Sequence, residues 1–175
     1  MTIVELNKAI RSFLAEFCPS IEGRDIIKGD RNRTSLPNNR AYIVFTPLSK
    51  KPVSVGTDFF DSDPNTTDPG TWTANELNLA TYQVDIYGPE SGQMMATLKT
   101  AYRSGLGAEY FKRFKDALGG VGLVNVTAVG NATEPDGTSE YAIRHIAELT
   151  VAVRFTASMT QEWTDNLTIT IRGAQ

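Results

Sequence analysis

Asp61, Asp63 and Asn65 stand at the D-x-D-x-N spacing of a calcium-binding loop. Such a loop also needs a glycine at its sixth position, for a sharp turn, and a bidentate glutamate at its twelfth. Those positions hold Thr66 and Trp72. The pattern fails where it is most specific, and the acidic run reads as a solvated or interface loop. His145 is the sole histidine. Nucleophilic catalysis needs a base within reach of the nucleophile and a third group to orient it. His145 falls in the apolar phase of a strand and no G-x-S-x-G motif occurs, so it reads as a packed, hydrogen-bonded side chain. Cys18 is the sole cysteine and follows an apolar helix stripe, which marks a buried thiol. One cysteine excludes an intramolecular disulfide and a cysteine-built zinc site. Gly119, Gly120 and Gly122 are not followed by G-K-[ST], so they indicate a turn and no phosphate loop. Arg24, Lys28, Arg31, Arg33 and Arg40 form a basic stretch without base-stacking aromatics, in a chain of pI near 5.2. An acidic protein is poorly suited to tracking phosphates. No catalytic set, metal or cofactor is expected.

The chain has 175 residues, with 17 Lys plus Arg against 20 Asp plus Glu and a net charge of −3. This length favours one domain and allows a sizeable core without staples. No apolar run approaches a membrane span, and Met1 to Glu5 lack the basic start and apolar stretch of a secretory leader. A soluble protein of a reducing compartment is the expectation. The charge is segregated. Residues 1–51 carry nine basic and five acidic groups, whereas residues 52–98 carry no Lys or Arg and seven acids. Such asymmetry bears on association more than on fold.

The elements that must position these groups follow from periodicity. Ile3, Leu6, Ile10, Phe13, Leu14 and Phe17 make the apolar stripe of a helix over 2–17, with Thr2 and Glu5 at capping-box spacing. Ala41 to Thr46 reads as a strand buried on both faces and ending at Pro47. Residues 56–71 are turn formers and read as a long loop. That loop carries Phe59 and Phe60, is bordered by Trp72, and needs a burial site for them. Tyr82, Val84 and Ile86 alternate in a strand over 76–87. Leu77 and Leu79 occupy its other phase, which suggests a bulge near Ala80-Thr81. Ser91 is a candidate N-cap for a helix to about Ser104, broken by Gly105 and Gly107, and a second helical piece spans 108–118. A β-type run over 121–129 and a turn region over 130–137 come next. Ile143, Ala147, Leu149, Val151, Val153 and Phe155 then share one phase of the clearest strand. A polar loop over 157–166 leads to a last strand around Leu167, Ile169 and Ile171. The order predicts an α+β fold. Its sheet is mixed and largely antiparallel, with an N-terminal and a central helix packed on it and a long C-terminal β-hairpin.

Several segments together resemble a known family. They are Tyr82-Gln83-Val84-Asp85-Ile86-Tyr87-Gly88-Pro89 running into the helix that ends at Arg103-Ser104, and the Glu134-Pro135-Asp136-Gly137 turn before a long alternating strand. The N-terminal helix and Leu36-Pro37 ahead of Tyr42-Ile43-Val44-Phe45 complete the set. This arrangement is similar to the neck or tail-terminator proteins of bacteriophages. The resemblance implies a structural virion protein without catalytic residues, acting as one terminator-like domain over 1–175. It implies a ring, typically hexameric, that caps the tail tube and joins it to the neck or connector. Its partners would be further copies of itself, the tail-tube protein, the neck protein, a sheath protein where the tail has one, and genomic DNA passing through the lumen. No membrane is involved, and assembly would occur in the host cytoplasm. A tail-tube or tail-completion component is the alternative within that class. A small ligand-binding or enzymatic α+β domain is the alternative outside it. A ring needs two different patches that meet. The expected contact sets Asp58, Phe59, Phe60, Asp61, Asp63 and Trp72 of one copy against Arg24, Lys28, Arg31 and Arg33 of the next.

Overall fold

The computed structural model describes residues 3–29, 37, 40–54, 56–61, 70–114, 120–131, 134–135 and 141–161. Helix α1 (Ile3–Phe17) buries Leu6, Ala9, Ile10, Phe13 and Leu14, the stripe expected from their three- and four-residue spacing. Thr2, the first half of the expected capping box, lies outside the described residues. After α1 come a short 3₁₀ turn (Gly23–Asp25) and the strands β1 (Ile26–Lys28), β2 (Tyr42–Pro52), β3 (Thr57–Asp61) and β4 (Gly70–Tyr87). Helices α2 (Ser91–Arg103) and α3 (Gly105–Lys112) follow, then β5 (Val121–Asn131), β6 (Glu134–Pro135), β7 (Tyr141–Ala142) and β8 (Arg144–Gln161).

The main sheet has six strands in the order β1-β2-β4-β8-β5, with β3 paired to β4 beyond the end of β2. Among the described residues only the β1–β2 pairing is parallel. The fold is therefore α+β with a mixed, mostly antiparallel sheet, as the element order predicts. β4 and β8 pair without a register break from Gly70–Gln161 to Tyr87–Arg144. Ala80, Tyr82, Val84 and Ile86 share a face with Ala147, Leu149, Val151 and Val153, and all eight are buried under the helices. Strict alternation produces this face, because side chains of period two project to one side of the pleat.

Phe13 is the centre of the helix layer. Its ring lies 4.8 Å from Phe17, 5.2 Å from Phe111, 5.4 Å from Tyr110 and 6.0 Å from Tyr102. Two tight approaches set the helices in place. Gly88 closes the β4–α2 turn at φ +118, where a side chain would also meet Ala41. Gly107 of α3 has no room for a Cβ, which would lie 2.8 Å from the Ala101 carbonyl oxygen and 2.7 Å from Leu123 Cδ1. Gly107→Ala should therefore lower stability by about 1–3 kcal/mol, because the obstruction is backbone and cannot swing away. Denaturant melts of the purified protein check this. A variant as stable as the parent would show that α3 shifts freely on the sheet.

Several expected boundaries are corrected. Pro47 does not end β2. The strand continues along an edge that β1 has already left, where a missing amide is tolerated. The bulge expected in β4 near Ala80-Thr81 lies instead in β2, between Pro47 and Ser49. Leu77 and Leu79 thus stay on the face away from the helices, Leu77 being exposed. The helical region breaks at Ser104, next to the expected place, and Gly105 and Gly107 belong to α3. The Ser104 hydroxyl caps that helix by accepting from the Leu106 amide at 3.2 Å. Ser91 is not the cap of α2 but its first residue, and its hydroxyl turns inward. The polar stretch over 157–161 is not loop, since β8 runs on to Gln161. The last expected strand, around Leu167, Ile169 and Ile171, lies outside the described residues.

Candidate subunit interface

The expected loop over 56–71 contains a strand. β3 pairs with β4 from Thr57–Asn75 to Asp61–Thr71, and turn formers yield here because Phe59 and Phe60 sit in an alternating run with a partner strand beside them. Residues 62–69 lie outside the described residues. β3, the first part of β4 and the last part of β8 together form a three-stranded arm that runs on past the helices. The 18 residues of β4 span roughly 60 Å at ~3.3 Å per residue.

The register assigns the side chains of this arm to its two faces. Phe60 opposes Trp72, and Trp72 opposes Met159, so the three form one row. The Phe60 and Trp72 rings are 6.2 Å apart. Trp72, Ala74 and Glu76 continue the phase of Ala80 and Tyr82, so this row extends the core face beyond the helix layer. Trp72 remains 41% exposed and Met159 62%. Of the residues that sequence reasoning grouped here, Asp58, Phe60 and Trp72 share one face of the arm, and Phe59 and Asp61 lie on the other. Asp63 lies outside the described residues. Met159 was missed, although the alternation Phe155, Ala157, Met159 carries its signal into the polar stretch.

The basic residues lie elsewhere. β1 pairs with β2 at Ile43 to Phe45, which face the far end of β4 from the arm. Arg24 pairs with Glu22 at 2.6 Å, and Arg40 with the buried Asp25 at 2.7 Å. Lys28 is half-buried on β1. Arg31 and Arg33 lie outside the described residues. Part of the charge counted along this stretch is therefore neutralised within the chain.

The groups with chemical potential are built into the fold. The Ser91 hydroxyl and His145 Nδ1 are 2.9 Å apart, joining α2 to β8. Ser91 is fully buried, and the pair acts as a packed hydrogen bond, as expected of a strand histidine. Cys18 is buried, and burial pushes its thiol up to about 11. Asp85 accepts from Arg144 Nη2 at 3.0 Å and from Gln83 at 2.9 Å on the face away from the helices. The guanidinium also lies 5.6 Å from the Tyr87 ring, which stacks on Tyr42 at 4.4 Å. Sequence reasoning missed this cluster because its members are 59 residues apart. Among the described residues no three His, Cys, Asp or Glu side chains are grouped to hold a metal, and no helix is long and apolar enough to cross a membrane.

The described residues thus combine an α+β sheet covered by one helix layer, an acidic aromatic arm, and polar groups held in structural bonds. A family model described as phage neck terminator protein matches residues 4–174, and the chain belongs to that family. No curated protein matches the chain. Among solved structures, the sheath/tube terminator of an extracellular contractile injection system, PVC, in its extended state, matches at 13% identity and a TM-score of 0.43. The match covers all of this chain but only 65% of that one. At that level the likeness bears on neither mechanism nor partners.

Proposed function

We propose that copies of this chain form a ring, six-membered, that ends the tail tube of a phage and joins it to the neck. The observation that carries this reading is the family match over nearly the whole chain. The arm supports it physically. A ring needs a heterologous contact, and a protruding apolar row on one end of the subunit supplies one half of it. Arm and basic end lie at opposite ends of the sheet, which suits head-to-tail association. The whole chain acts as one terminator-like domain within the virion tail, after assembly in the host cytoplasm. It works by contact alone and does no catalysis. The tail-tube protein and the neck or connector protein are its partners, with the sheath protein added in a contractile tail. Genomic DNA passes through the lumen, where a net charge of −3 avoids tight phosphate binding.

Electron microscopy of particles made with and without the chain tests the role. Loss of the chain should leave headless tails and unjoined heads. Infectious, fully joined particles made without it would refute the reading. Assembly should also weaken with salt, since the Debye length falls from ~10 Å at 0.1 M to ~3 Å at 1 M. Sedimentation across that range checks this, and a distribution unchanged by salt would rule out charge as a determinant of the contact.

A further inference from the structure

We propose that the arm of one copy docks, through Trp72 and Met159, into a hollow at the β5 edge of a second copy, where α2 turns into α3. The inference rests on the ring reading and names its contact. The hollow holds about 340 Å³ and is lined by Tyr102, Arg103, Ala108, Leu123, Val124 and Val126, among others. The bulge between Leu123 and Asn125 turns Val124 outward, leaving it 52% exposed. Leu106, in the first turn of α3, stands 63% exposed. Among the described residues β5 is the last strand of the sheet.

Charge selects the occupant. Arg103 spans the hollow, its Nη2 donating to the Val126 carbonyl at 2.8 Å. Lys99 lies one turn earlier on the same helix face. Among the described residues neither forms an ion pair. On the helix-side face of the arm, Asp58 opposes Ala74, and Glu76 is two residues further along. Diagonal neighbours on a sheet lie about 7 Å apart, and residues four apart on a helix about 6 Å. The two acidic positions therefore match the two basic positions in spacing as well as sign, the Glu76 carboxylate also accepting from Asn78 Nδ2 at 2.9 Å. Trp72 beside Arg103 adds an indole face to a guanidinium. Buried aromatic anchors surrounded by matched charge are where binding energy concentrates.

Met159 of the same chain does not reach this hollow. Val151 pairs with Leu123 at its floor, and Met159 stands eight residues further along β8. That is about 26 Å on an unbroken strand at ~3.3 Å per residue. A second copy meets the requirement without any bend. The contact joins different patches, so it propagates head to tail.

Sedimentation of Trp72→Ala and of Val124→Asp tests the docking, with thermal melts to show that each variant folds. Both sites are exposed, so the melts should match the parent. Each variant should need about tenfold or more protein for half assembly. Asp58→Lys with Glu76→Lys should impair assembly, and combining it with Lys99→Glu and Arg103→Glu should restore it. If the parent forms rings and these folded variants assemble as it does, the docking is wrong while the ring stands. If Arg31→Glu with Arg33→Glu disrupts assembly and the hollow variants do not, the basic stretch is the receiver and the docking is equally overturned. A parent that stays monomeric at every concentration, alone and with tail tubes, removes the ring itself.

Discussion

Replacing Phe13 by alanine should lower stability by about 3–5 kcal/mol. Phe13 is fully buried, and four aromatic rings close on it from α1, α2 and α3. Removing it leaves a cavity that three separate helices would have to collapse to fill. The loss exceeds simple transfer of the ring because edge-to-face contacts with Tyr102 and Tyr110 go as well. Global stability is ordinarily about 5–15 kcal/mol, so this one change should consume a large share of it. Denaturant unfolding of parent and variant gives the difference directly. A loss below about 1 kcal/mol would mean that the helices do not share one core. Phe13→Leu, which keeps most of the volume, should recover much of the stability.

Arg144→Ala should be comparably damaging, at about 3–5 kcal/mol. The Asp85 carboxyl is almost wholly buried and accepts two bonds from this guanidinium, through Nε at 3.2 Å and Nη2 at 3.0 Å. Without Arg144 the buried carboxylate keeps only Gln83 among the described residues, and the ring of Tyr87 loses this cation. Adding Asp85→Asn to Arg144→Ala should restore part of the loss, since a neutral amide is cheaper to bury than an unpaired charge. Thermal or denaturant melts of the single and double variants decide this. A double variant no better than Arg144→Ala would show that the pair's worth lies in packing and not in charge.

Much of this structure was legible in the sequence, for identifiable reasons. The stripe of α1 and the alternation of β8 are long periodic signals, and both emerged on the expected faces. His145 was placed correctly because it shares the phase of Ala147 and Leu149. Local turn chemistry was the weaker guide. Asp58, Asp61 and their neighbours look like a loop, yet β3 forms because β4 offers it partners 10 to 18 residues away. Ser91 has the chemistry of a cap, but a buried bond to His145 takes its hydroxyl inward. Pro47 looks like a stop, and an edge position tolerates it. Each miss is a tertiary contact overriding a local preference. The Asp85–Arg144 pair belongs to the same class, since nothing near either residue in sequence announces the other. The arm face was half visible: Phe60 and Trp72 signalled a need for burial, and Met159 was hidden in a polar stretch.

The central claim is that this chain closes into a ring. Native mass measurement of the purified protein in low salt, alone and after mixing with tail tubes, tests it most directly. The account predicts a closed particle at six times the 19.2 kDa chain mass, present alone or appearing on the tubes. A protein that remains at the mass of one chain under both conditions would contradict it.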